Sequence, residues 1–147
     1  TEEDFYCAIA SSFMLSADNA HAVHPHHPQK TDATNCVYMN EGIVVKSHAG
    51  QKYTSDAVSV AVFKDLCKKA NVPVQFFANR SDEAGGSTLG NIAMVSMNSV
   101  DIGLPQLAMH STYETAGIKD TYYMIQVMTE FFNSHISEVN SHSLKVD

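Results

Sequence analysis

Four of the eight histidines of this chain, His21, His24, His26 and His27, fall within seven residues just after Asp18. A carboxylate followed by a His-rich loop is a donor set suited to a transition metal. Aspartate oxygen and imidazole nitrogen are ordinary ligands, and a loop can turn them toward one point. The plainer alternative is a solvated His-rich loop. A second concentration runs over residues 101–114 and contains His110. A lone histidine after a strand is more often a hydrogen-bonded structural residue than a ligand. A third runs over residues 79–90, where Gly85, Gly86 and Ser87 make a small-residue turn. Such a turn opening a helix presents backbone N–H groups to an anion or a carbonyl. It lacks both the Gly-Lys-Ser/Thr of a phosphate loop and the GxGxxG of a dinucleotide site, so nucleotide binding has no support. Its other reading is a tight strand-to-helix connection.

The elements that must position these groups alternate along the chain. Residues 2–13 place Phe5, Ile9 and Phe13 four apart behind Glu2, Glu3 and Asp4, and predict a helix. Residues 14–18 predict a short strand ending in a carboxylate, and 19–35 have loop composition. The β-branched run 43–45 follows Gly42 and predicts a buried strand. Residues 56–70 predict a helix with Asp56 as N-cap. Val58, Val62 and Leu66 lie on one face, and Lys68 and Lys69 in the last turn. Residues 72–78 predict a strand entered by Pro73. Residues 88–97 predict a helix capped by Ser87 or Thr88, and 100–103 a strand. Residues 120–139 predict a long amphipathic helix carrying Tyr123, Val127, Phe131 and Phe132. The resulting order predicts an α/β protein, with a mostly parallel sheet and helices on both faces. In such sheets the ligand lies beyond the carboxyl ends of the strands. The domain reading is one unit over 1–139 with a polar tail, 140–147, that frays.

Composition narrows the function classes. The chain has 147 residues, 9 Lys+Arg against 16 Asp+Glu, and a formal net charge of −7. An acidic chain is a poor binder of phosphate backbones, so nucleic acid is excluded as a partner. No apolar run reaches the ~18 residues needed to span a bilayer, and no charged-then-apolar leader is visible, so no membrane role is expected. Cys7, Cys36 and Cys67 are widely spaced with no CxxC. That argues against a disulfide framework and for a cytoplasmic location. The first residue is Thr1, so the chain is expected to be processed or part of a longer one.

Five strings, SADNAHAVHP, GIVVK, QKYTSDA, NRSDEAGGSTLG and DIGLPQLAMHSTYET, occur in order along the chain. Together they resemble the carboxyl-terminal part of the M18 metallopeptidases, the aspartyl aminopeptidases, and the bacterial members above all. The resemblance runs from about residue 3 to about residue 132.

That resemblance implies a three-layer αβα, zinc exopeptidase-like domain with two divalent metal ions, usually zinc. It implies removal of acidic residues from peptide amino termini, and a dodecameric homo-oligomer. By resemblance, Asp18 is a carboxylate ligand of one ion and His110 the imidazole ligand of the other. Lys46 reaches the bound substrate, and Tyr53 lies near the developing oxyanion. Gly86 borders the substrate, and His21 and His24 orient ligands without binding metal themselves. The chemistry is coherent: a cation at a strand end favours a substrate carboxylate, and a metal pair would hold carbonyl, amine and water together.

The family's other ligands are an upstream histidine, a bridging aspartate and a glutamate beside the catalytic glutamate. They have no matching motif here. Glu2-Glu3 heads the first helix, too close to Asp18. Two readings follow: part of a zinc aminopeptidase, or a catalytically inactive fragment or assembly module of the same fold. The 147-residue chain by itself is expected to be inactive, to bind metal weakly and to associate through exposed sheet edges.

Overall fold

A computed structural model describes residues 1–80, 82–87, 89, 96–140 and 143–147. Helix α1 (Glu2–Ala10) is capped by Thr1, whose hydroxyl accepts from the Asp4 amide at 3.2 Å. Its start matches the sequence expectation, but it stops short of Phe13. The Ser11 and Ser12 hydroxyls donate back to the Cys7 and Ala8 carbonyls and occupy its last acceptors. Phe13 instead opens strand β1 (Phe13–Ala17). No residue of α1 is buried.

The main sheet contains β1, β3 (Ile43–His48), β4 (Val74–Asn79) and β5 (Asn98–Gly103), in the order β1-β5-β3-β4. β1 runs parallel to β5 and β3 parallel to β4, whereas β3 and β5 are antiparallel. The α/β class and the predominance of parallel pairing are as expected, and the one antiparallel pair, β3–β5, makes the main sheet mixed. Hydrophobic runs specify burial and not direction, so the reversal at the centre has no sequence signature. Two-residue β2 (Ala20–His21) pairs with β6 (Pro105–Leu107), which pairs with β7 (Thr115–Ala116).

Helix α2 (Ala57–Lys69) forms where expected. Asp56 accepts from the Ser59 amide at 2.7 Å, and the Ser59 hydroxyl accepts from the Asp56 amide at 3.0 Å. That reciprocal cap satisfies two orphan N–H groups at the helix start. Val62, Phe63, Leu66 and Cys67 of α2 and Val127 of α3 (Ile118–Asn133) pack on Ile43, Val45, Val100 and Ile102 of the sheet. On the opposite face a smaller cluster joins Val44 and Phe77 to Ala20 and Val37, with Tyr53 against it. That face is covered by the segment after β1 rather than by α2 or α3. Successive residues of β3 therefore serve opposite faces, as pleating requires.

Asp120 ties α3 to the sheet. It is fully buried and accepts from the amides of Asn40 at 2.5 Å and Gly42 at 3.0 Å. Gly42 has φ +114°, and a Cβ there would strike the Pro73 carbonyl, so only glycine fits. The helix expected over 120–139 ends at Asn133, where Ser134 turns extended. The remainder forms a hairpin of β8 (Ile136–Asn140) and β9 (Ser143–Val146) rather than a frayed tail. Leu144 and Val146 pack against the core, and Lys69 donates to the Val146 carbonyl at 2.9 Å. The helix expected over 88–97 lies largely outside the described residues.

Candidate active site

The ends of β1, β3 and β5 meet at one place. Asp18 follows the last residue of β1, and its amide donates to the Ile102 carbonyl of β5 at 3.0 Å. One oxygen of the Asp18 carboxylate accepts from the Asn19 amide at 2.8 Å, which fixes its direction. Gly103 closes β5 directly beneath this turn. A Cβ on it would collide with the Asp18 carbonyl, so the backbone approach demands glycine.

Lys46 enters from β3 on the face opposite the main core. It is 2% exposed. Its ammonium lies 3.5 Å from the Asp18 carbonyl and 3.4 Å from the Asn19 carbonyl, and 5.2 Å from the centre of the Tyr53 ring. Burial pulls its pKa below the ordinary lysine value, and the charges of Asp18 and Asp101 oppose that pull. Tyr53 is half-buried. Burial first, then the charges of Asp101 and Asp18, raise its hydroxyl pKa and keep it neutral near neutral pH. The His48 ring stands edge-on to Tyr53 at 6.3 Å.

His21 in β2 stands in register with Gln106 of β6. His21 is exposed overall; its pKa is lowered first by partial desolvation from the atoms around it and next by the neighbouring His110 and Lys46, while Asp18 opposes. Asp18, Lys46 and His110 thus all act electrostatically on His21. His110 reaches it from a tight turn after β6, in which Ala108 (φ 55°) and His110 (φ 69°) both adopt left-handed backbone. The turn is held by the Ser111 amide on the Ala108 carbonyl at 3.0 Å and by the His110 amide on the Glu114 carboxylate at 2.6 Å. Non-glycine residues in this region are uncommon and cluster at functional sites.

Gly86 lies on an exposed loop held to the Tyr53 loop, where the Ser87 amide donates to the Lys52 carbonyl at 2.7 Å. His24 packs its ring against His26 and His27, at 5.9 and 5.1 Å between centres, in an exposed turn. Among the described residues no group of three or more His, Cys, Asp or Glu side chains is gathered closely enough to hold a metal ion. Asp18 and His110 thus have suitable donor chemistry but do not make a complete ligand set.

One residue of this region was not singled out by sequence. Asp101, in the middle of β5, is fully buried. One carboxylate oxygen accepts from the hydroxyls of Ser16 at 2.7 Å and Ser87 at 2.6 Å. The other accepts from the amide and hydroxyl of Thr54 at 2.7 and 2.9 Å. The available signal was a carboxylate between Val100 and Ile102 in a strand expected to be buried, where a charge demands partners. Beyond β3 and β4 a cleft of about 680 Å³ opens, lined by Asp32, His48, Asn79 and Arg80 among others. Arg80 is forked onto Asp82 at 3.0 and 2.6 Å.

This arrangement of sheet and turns is shared with solved aminopeptidases. The chain superimposes on the protein in a cryo-EM structure of an Ape4 and Nbr1 complex with a TM-score of 0.84 and 36% identity, covering 90% of this chain and 26% of that one. It superimposes on the S. cerevisiae mApe1 dodecamer structure with a TM-score of 0.78 and 26% identity, over 88% of this chain and 28% of that one. A family model described as aminopeptidase I zinc metalloprotease (M18) matches residues 1–132, and the chain belongs to that family. A probable M18 family aminopeptidase 2 of Clostridium novyi is 54% identical over 133 residues, 89% of this chain and 31% of that protein. The chain therefore spans about a third of the length of the curated relatives it matches. Among the described residues no helix is long and apolar enough to cross a membrane.

Proposed function

We propose that this chain is the part of a cytoplasmic metal-dependent aminopeptidase that holds the substrate's acidic amino-terminal residue, aspartate or glutamate. The observation that carries the reading is Lys46. A buried ammonium is costly unless a negative partner or polar oxygens compensate it. Here it is aimed at the turn carrying Asp18, beside Tyr53, where a substrate carboxylate would complete its compensation.

The proposed roles follow from side-chain chemistry. Asp18 and His110 each contribute one donor to a pair of divalent ions, zinc by family, whose remaining ligands lie outside this chain. Bound metal supplies Lewis acidity toward the peptide carbonyl and lowers the pKa of water. Tyr53, neutral through its raised pKa, donates a hydrogen bond near the reacting carbonyl. Gly86 leaves room for the substrate backbone beside the Lys52 carbonyl. His21, its pKa lowered, is mostly neutral at cytoplasmic pH and is assigned to orienting the ligands beside it; His24 is assigned the same supporting role in the His-rich turn. Homo-oligomerisation is part of the proposal, supported by the dodecamer reported for the similar mApe1.

The deciding measurement uses the full-length protein carrying this chain. Chelator-sensitive release of Asp or Glu from chromogenic amides, well above release of Leu, is the expected result. Equal rates on Leu and Asp amides would remove the acidic specificity, and no turnover of any amide after zinc loading would favour the inactive assembly module.

A further inference from the structure

We infer that Asp101 is a positioning residue that sets the substrate-facing loops of this site, holding the Tyr53 and Gly86 loops in register with Asp18. The inference rests on the aminopeptidase reading and extends it to a residue that reading does not use.

The geometry makes the argument. Asp101 is 0% exposed, and the four hydrogen bonds to its carboxylate come from three segments far apart in sequence, the end of strand β1 and two loops. Ser16 lies two residues before Asp18. Thr54 follows Tyr53, and Ser87 follows Gly86. The donors also lie close together: the Ser16 and Ser87 hydroxyls, both donating to Asp101, are 3.2 Å apart, and the Ser87 amide donates to the Lys52 carbonyl. The Asp101 amide in turn donates to the Ser55 hydroxyl at 3.0 Å. The end of β1 and the two loops are thus clamped to one carboxylate, and each presents its site residue one or two positions away.

A buried charge is a poor device for stability alone, since an apolar residue of similar volume often serves as well. Its advantage is direction. Both oxygens of a carboxylate accept, so four donors converge on one group and fix two loops and the end of β1 relative to β5. An asparagine would offer one oxygen and one N–H pair. The hydroxyls of Ser16 and Ser87 can rotate to accept from that pair, but the Thr54 amide cannot. Asparagine therefore keeps the partners but loses the charge that strengthens each bond, so the Thr54 and Ser87 contacts both weaken.

The test uses the full-length protein with Ser87→Ala, Ser87→Thr and Asp101→Asn, read by steady-state kinetics on an Asp amide, metal content, melting temperature and hydrogen exchange. Ser87→Ala is expected to raise KM about tenfold, the equivalent of one charge-assisted hydrogen bond, with kcat and metal content close to wild type. Ser87→Thr restores KM because it restores the hydroxyl. Exchange in peptides covering residues 52–55 and 85–87 should quicken in Ser87→Ala and Asp101→Asn. An unchanged KM in Ser87→Ala overturns the inference. So does a loss of kcat and melting temperature at constant KM, which marks the network as support for the fold alone. If wild type releases no Asp, the function reading fails. The exchange arm then decides separately: faster exchange in both loops sustains the clamp, and unchanged exchange refutes it.

Discussion

Replacing Lys46 by methionine separates its charge from its bulk. The stem of Lys46 is buried in the face shared with Val44 and Tyr53, and methionine fills nearly the same volume without an ammonium. In wild type the ammonium faces two carbonyls at 3.5 and 3.4 Å and an aromatic ring at 5.2 Å, and the charges of Asp18 and Asp101 offset only part of the cost of its burial. A substrate carboxylate would offset the rest, as a charge-assisted contact away from bulk water worth about 1.5–3 kcal/mol. At ~1.4 kcal/mol per decade, that is a loss of about 10- to 150-fold in kcat/KM for an Asp amide. A Leu amide gains nothing from the ammonium, so its kcat/KM should change by less than about threefold. The assay is the ratio of the two kcat/KM values in the full-length protein, with circular dichroism to confirm folding. A ratio that stays at its wild-type value while both rates fall in parallel would refute the reasoning. Lys46 would then support the Asp18 turn without reading the substrate.

Two further outcomes test the scaffold. Asp56→Ala removes the carboxylate that accepts from the Ser59 amide, leaves the residue-56 amide on the Ser59 hydroxyl, and should lower the denaturant stability of the full-length protein by about 1 kcal/mol without altering substrate preference. Burial holds the Asp120 carboxyl above its ordinary value, against the pull of the Asn40 and Gly42 amides. The folded state then binds more protons than the unfolded state just above pH 3.8, so this group's contribution is full below that value and declines as pH rises through the folded pKa. The stability of wild type minus that of Asp120→Asn should fall with rising pH in that window, and a difference that grows instead would reverse the assignment.

How much was legible depended on whether the signal was periodic. Helix α2 was readable because an Asp56 cap, a four-residue apolar stripe and terminal lysines agreed with one another. Helix α1 was readable for its acidic first turn. Its apolar spacing misled, because Phe5 is 58% exposed and Phe13 belongs to a strand. The end of α3 was misread because Phe131 and Phe132 continue the helical stripe. The alternation Ile136-Ser137-Glu138-Val139, which suits a strand, was absorbed into it. Strand direction at the β3–β5 pair depends on tertiary connection and leaves no mark on residue types. In the site, Asp18, Lys46, Tyr53 and His110 were reached through motifs, and the structure brings these four together with His21. His24 stands with His26 and His27 instead. Asp101 escaped because a single buried carboxylate has no spacing to recognise.

The alternation along β3 carries a last consequence. Val45 faces Phe63 and Leu66 in the main core, while the next residue, Lys46, faces Tyr53 on the other side. Deleting or inserting one residue in β3 would exchange these two faces. With an insertion, an ammonium would be thrust toward the α2 side chains and a valine would stand beside Tyr53. A length error in this strand therefore damages the core and the Asp18 turn together. Folding itself screens the register that places Lys46.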